Sequence, residues 1–266
     1  IMTADIDFDG ADLAPVGSSA TYFNGIFDGD GHVLRNGQVN VQGASPFVYV
    51  GTGGTIRDLG VEEVMVTGDY AAGLVFWNEG VILDCYATGA VSSTYDTHGV
   101  AAGLVAANKG SITACYAAGA VSGSGAGVGG LVFLNEGVIL ACYATGAVTL
   151  TYTSGVAGGL VAGNQGSITA CYATGAVSGG GADYVGGLVG IQDPATGTVA
   201  DSFWDIETSG QEGSGGGRGL TSAQMGTVYT FQNAGWSAYP WVMQDGAPPR
   251  LDWEGLGWPA IPEAGP

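Results

Sequence analysis

The sequence predicts an all-β chain wound as a parallel β-helix of about seven coils, with a tryptophan-rich C-terminal cap. Two observations carry this. First, a stretch starting at Gly73 returns from Gly103, Gly130 and Gly159 and is echoed from Gly187, so that Leu74, Leu104, Leu131, Leu160 and Leu188 step by 30, 27, 29 and 28 residues. A fixed period of this size marks a repeat architecture. Second, each period is built from Gly, Asn and β-branched or aromatic residues, with no apolar series at helical spacing. Helix-interior glycine costs about 1 kcal/mol each, whereas short strands bounded by Gly and Asn suit this composition. A period of roughly 28 residues is too short for a four-stranded propeller blade, which takes about 40.

Taken in order, residues 1–46 read as an N-terminal strand and a first irregular coil. Ile6 and Phe8 alternate with Asp5, Asp7 and Asp9, the pattern of a half-buried strand. Asp5, Asp7 and Asp9 also match the first half of a calcium loop. Val16 stands where the bidentate Glu should be, so calcium is the lesser reading and no other cofactor is expected. Asp28, Asp30 and His32 surround a tight turn and read as turn chemistry before metal chemistry.

Residues 47–203 hold the coils, with Phe47, Ile56 and Leu59 expected to align with Leu74, Ile82 and Cys85. The regular ones follow G-L-V-x-x-N-x-G-x-I-x-x-C-Y-A-x-G-A-V. Asn78, Asn108, Asn135 and Asn164 form one column, suited to turns and to an amide ladder. Cys85, Cys115, Cys142 and Cys171 form another and read as buried thiols, since neighbouring Cβ atoms at strand spacing stand wider than a disulfide prefers. Bulky and small coils alternate: Val81 and Leu83 are echoed by Val138 and Leu140, with Ser and Thr between them, which predicts an outward ridged contact face. Residues 204–254 carry Trp236, Trp241 and Trp253 and are expected to close the open solenoid end. Their rival reading is a glycan platform of exposed indole faces. Gly210–Gly219 reads as a flexible loop and 255–266 as a linker or tail.

These residues resemble the GLUG-motif repeat family of bacterial secreted and surface proteins, which includes adhesin-like proteins and some IgA-specific metallopeptidases. Phe23-Asn24-Gly25-Ile26-Phe27-Asp28-Gly29 is similar to the lead-in of such repeats, and Phe203-Trp204-Asp205 with Gly219-Leu220-Thr221 to their tail. The fourth core position departs from the family, with Phe76, Ala106, Phe133 and Ala162 in place of Gly. The resemblance implies a β-helix at the bacterial cell surface.

Charge and composition narrow the function. A net charge of −19 argues against nucleic acid and anionic lipid, which both need clustered cations. No apolar run reaches the roughly 20 residues that span a bilayer, and the opening at Ile1 without a leader pattern reads as a processed or partial chain. No H-E-x-x-H is present, and neither His32 nor His98 sits in a nucleophile elbow. The expectation is therefore a chain without catalysis: an extracellular stalk, adhesin segment or self-assembling filament subunit, contacting copies of itself or neighbouring domains of a longer chain. The alternative is a glycan-binding or glycan-processing β-helix.

Overall fold

The computed structural model describes residues 1–182 and 184–255. The chain is a parallel β-solenoid of about seven turns. Each turn crosses the strand set of four sheets, illustrated by Tyr70–Ala72, Val75–Asn78, Val81–Ala87 and Val91–Ser93. Every pairing between turns is parallel and in register: Ile82 lies between Ile56 and Ile112, Val105 between Val75 and Val132, and Val121 between Val91 and Val148. The largest sheet has 14 strands. Ile56, Ile82, Ile112, Ile139 and Ile168 stack inside it, each fully buried. Phe47 pairs with Val75 and not with Leu74, one residue away from the sequence alignment.

A strand sends every second residue inward, yet Ile82 and Cys85 are both buried at a spacing of three. The structure resolves this with a corner. Asp58, Asp84, Ala114, Ala141, Ala170 and Asp201 occupy one column with φ of 46–52°. Each breaks the alternation, so the chain bends and the residue after it faces in. Glycine recurs for a separate reason. A Cβ on Gly130 would lie 1.9 Å from the Gly159 carbonyl oxygen, and one on Gly146 would lie 1.9 Å from that of Gly119. Coil-to-coil backbone contact leaves no room for a side chain.

Three expectations are corrected here. The strand Ile6–Asp7 is exposed on both residues, with Ile6 at 45%; it pairs with Val33–Arg35 at the periphery, and only Phe8 reaches the core. Gly210–Gly219 is bonded onto the last coil: Ser214 Oγ accepts from the Val189 amide at 2.8 Å, and Gly215 N donates to Val189 O at 2.7 Å. With Trp204, buried in the core cluster and bonded through Nε1 to Gln211 O, this stretch covers the solenoid end. The first part of the 204–254 segment thus covers the end as expected, while its Trp236, Trp241 and Trp253 turn back along the flank. The tail read over 255–266 lies, after Gly255, outside the described residues. Among them no helix is long and apolar enough to cross a membrane.

Candidate functional site

The flank that receives the aromatic segment is made by the tyrosine of each C-Y-A triplet. Tyr86, Tyr116, Tyr143 and Tyr172 stack face to face, with ring centroids 4.9, 4.8 and 4.9 Å apart and interplanar angles of 13°, 5° and 4°. Phe203 continues the column in the next coil, where its strand pairs with that of Tyr172. In-register stacking makes this inevitable, because identical side chains repeat at the inter-strand distance. An outer column of four phenol rings is a large apolar strip, and residues 234–254 strap across it. Trp236 lies against Tyr172 and Phe203, Trp241 against Tyr143 and Tyr172, and Trp253 over Tyr86 and Tyr116. Three hydrogen bonds fix the strap: Trp236 Nε1 to Asp201 O (2.8 Å), Tyr172 OH to Pro249 O (2.7 Å) and Trp253 Nε1 to Ala114 O (3.0 Å).

Trp236 and Trp241 are therefore 6% and 2% exposed, and Trp253 is half-buried. The platform of exposed indole faces read from the sequence is corrected: those faces are covered by tyrosine. The tyrosines are the residues that the sequence reading passed over. Their signal was present, since Tyr follows Cys in every regular coil, but an aromatic next to an inward Cys had no evident partner.

The strap leaves a cleft on each side. One, of about 410 Å³, is walled by Leu83 and Leu140 from the sheet and by Tyr239, Pro240 and Trp241 from the strap. Val81 and Val138 stand beside it at 39% and 44% exposure, while Phe76 and Phe133 pack half-buried in a small outer cluster. The bulky coils thus form outward ridges with Ser111 and Thr113 between them and Ser167 and Thr169 beyond the second. The other cleft, of about 480 Å³, is mixed in character, with Tyr116, Tyr143, Tyr172, three threonines, Arg250 and Glu254 lining it beside Ala118, Ala247 and Pro248. Glu254 is 8% exposed and accepts from the Leu251 amide at 2.6 Å. Burial pushes its carboxyl up, against the opposing pull of that amide, the Tyr143 hydroxyl and Arg250. The hydroxyls of Tyr116, Tyr143 and Tyr172 are likewise pushed up, first by burial.

The two predicted columns are both inside. Asn78 Nδ2 donates to Asn108 Oδ1, Asn108 to Asn135 and Asn135 to Asn164, each at 2.8 Å. Cys85, Cys115, Cys142 and Cys171 are free and buried. Each of the last three thiols accepts the amide of the cysteine one coil earlier at 3.4 Å. In the final coil Ser202 Oγ takes over, accepting from Cys171 N at 3.0 Å. Burial pushes the thiols of Cys85, Cys115 and Cys142 well up.

The aspartates of the calcium half-motif are engaged elsewhere. Asp5 meets His32 Nδ1 (3.0 Å) and Arg35 (3.3 Å), and Asp7 accepts from Asn36 (3.1 Å) and from the Asp9 amide (3.0 Å). Asp28 is bonded to Arg57 through both Nε (3.0 Å) and Nη2 (2.5 Å). Among the described residues no group of three or more His, Cys, Asp or Glu converges as metal ligands would. The calcium reading of Asp5, Asp7 and Asp9 finds no support, since the oxygens of Asp5 and Asp7 are engaged by cations and amides and no ligand group converges there among the described residues. Two carboxyls of the corner column are also displaced: Asp58 is pushed up by burial and then by Asp28, and Asp84 is pushed up to about 6 by burial and then by Asp58 and Asp252.

Comparison with known proteins supports the architecture. No family model matches the chain. A stretch of 64 residues, 23% of the chain, is 42% identical to a protein of Evansella cellulosilytica provisionally named a Gly-rich membrane protein; the match spans 7% of that protein. A crystal structure from Bacteroides ovatus, of a protein provisionally named an immunoglobulin A1 protease, superposes with a TM-score of 0.62 over 94% of this chain and 84% of its own, at 21% identity. At that identity the likeness carries the fold. It also corrects the expectation of a chain without catalysis, because this solenoid is shared with a protein named for an enzymatic activity.

Proposed function

We propose that this chain is a structural segment, a stalk or adhesin module, of a longer protein displayed outside the cell. The observation that carries the reading is the continuity of its columns. Asn, Cys, Tyr and Gly at their recurring places are each occupied by the coil above or below. Stacking at about 4.8 Å per coil gives a stiff element roughly 30 Å long over seven coils. The local match to a small part of a much longer protein supports a place within a larger chain. The names of the two relatives, one for a membrane and one for an immunoglobulin substrate, support a place at the cell surface. Thiols with no solvent access suit an oxidising exterior, since oxidant does not reach them.

The test is surface labelling. Antibody raised against the folded chain should decorate intact source cells, and deleting the coils between Gly73 and Gly187 in frame should bring the flanking segments closer by about 19 Å for the four coils removed. Labelling only after lysis would overturn the reading.

A further inference from the structure

The cleft beside the strap that Arg250 and Glu254 line has the chemistry of a ligand site, tyrosine faces alternating with hydroxyls, and it stands apart from the structural role. Three features converge on it. The first is a column of hydroxyls. Thr88, Thr145 and Thr174 follow the C-Y-A triplet in three coils and line the cleft together with Tyr116. None of these four hydroxyls makes a hydrogen bond among the described residues. A hydroxyl both donates and accepts, so the wall offers a repeating set of uncommitted donors and acceptors at coil spacing.

The second is Arg250. Arg35, Arg57 and Lys109 each contact a carboxylate, as expected in a chain of charge −19. Arg250 is exposed, lines the cleft, and makes no ion pair among the described residues. A guanidinium fork left open beside hydroxyls is suited to a planar carboxylate, which it binds through two parallel bonds.

The third is Glu254, buried in the same wall. Its presence, with the overall negative field, disfavours a densely anionic ligand. It also supplies an acceptor, or when protonated a donor, for a further hydroxyl. Thr88 and Thr174 stand three coil steps apart, about 14 Å, so a short row of hydroxyl-bearing rings, one of them carrying a carboxylate, is the ligand that satisfies all three features.

We propose that this cleft binds an acidic glycan, with Arg250 holding the carboxylate of one sugar residue and Thr88, Tyr116, Thr145 and Thr174 meeting hydroxyls of that residue and of its neighbours along the chain. The site comprises side chains from four coils and from the strap, so it exists only when the strap is seated.

The experiment uses the full chain on an array of glycans carrying glucuronate, galacturonate or sialate residues beside their carboxyl-reduced counterparts, followed by calorimetry on the strongest binder. Acidic glycans should be retained and the reduced forms lost. Arg250→Gln should weaken binding at least tenfold, Arg250→Lys less, and Thr145→Val a few-fold. Arg218→Gln, away from the cleft, should leave binding unchanged. Arg250 makes no ion pair among the described residues but its charge favours the buried Glu254 carboxylate, so melts accompany the binding data, and Arg250→Lys, which keeps that charge, separates a lost contact from a loosened strap. Retention of no acidic glycan over its reduced counterpart, equal binding by Arg250→Gln, or equal competition by inorganic sulfate would each overturn the assignment.

Discussion

The asparagine column offers a graded test of how coil stacking holds the fold. Asn135 sits inside the ladder, accepting from Asn108 and donating to Asn164 at 2.8 Å each, and is fully buried. Replacing it with Ala breaks two ladder bonds, worth about 1 kcal/mol each, and leaves Asn164 Oδ1 without a donor. A buried acceptor so orphaned costs about 1–3 kcal/mol more. Asn135→Ala should therefore lose about 3–5 kcal/mol. Asn164 ends the ladder, and its own amide turns to the carbonyls of Gly166 and Thr198. Asn164→Ala breaks one ladder bond, and the Asn135 amide keeps its weaker contacts to Gly137 O and Ser167 O. The loss should be about 1–2 kcal/mol, since contacts of that kind vanish in both variants and cancel in the comparison. Guanidinium unfolding measures the difference. Hydrogen exchange localises it, with the Gln165 amide, bonded to Asn135 O, exchanging faster in Asn135→Ala. Long repeat arrays do not always unfold in two states, so the exchange data guard against a partial transition. If the end variant is as unstable as the interior one, the ladder is not what holds the turn.

Three further outcomes are expected. Cys142→Ser should stay within about 1 kcal/mol of the parent, because Ser202 already fills the same role, whereas Cys142→Ala should cost about 2–3 kcal/mol by orphaning the Cys115 amide; denaturant melts compare them. Asp84, pushed up to about 6, holds its proton more tightly folded than unfolded. Its charged form therefore opposes folding: stability should be lowest above about pH 6 and rise as pH falls through 6 towards 4. The change should be no more than about 2 kcal/mol after allowing for solvent screening of a half-buried group, and absent in Asp84→Asn, whose side chain also tolerates the positive φ. Trp253→Ala removes the ring over Tyr86 and Tyr116 and the bond to Ala114 O, so limited proteolysis should cut the strap between 242 and 250 while the coils stay intact.

Much of the scaffold was legible in the letters because a solenoid repeats its environment once per turn. The Asn column announced an amide ladder, and the alternation of Val81 and Leu83 with Ser111 and Thr113 announced outward ridges. The corner column was hidden, since Ala114 and Ala141 carry no sign of a positive φ and only the burial of residues on either side demands one. The Asp5, Asp7 and Asp9 motif misled for the opposite reason: spacing resembled a ligand set, but His32, Arg35 and Asn36, distant in sequence, occupy the oxygens of Asp5 and Asp7.

The sequence by itself determined the period, the fold class and which residues share a column, because register in stacked coils follows directly from recurrence. Where the non-repeating tail would go was decided only in three dimensions. Residues 234–254 could have closed the end or crossed a side, and their composition suits both. The tyrosine column settles it: stacking gathers four rings into one apolar strip, and burying that strip under three indoles removes more apolar surface from water than an already covered end could offer.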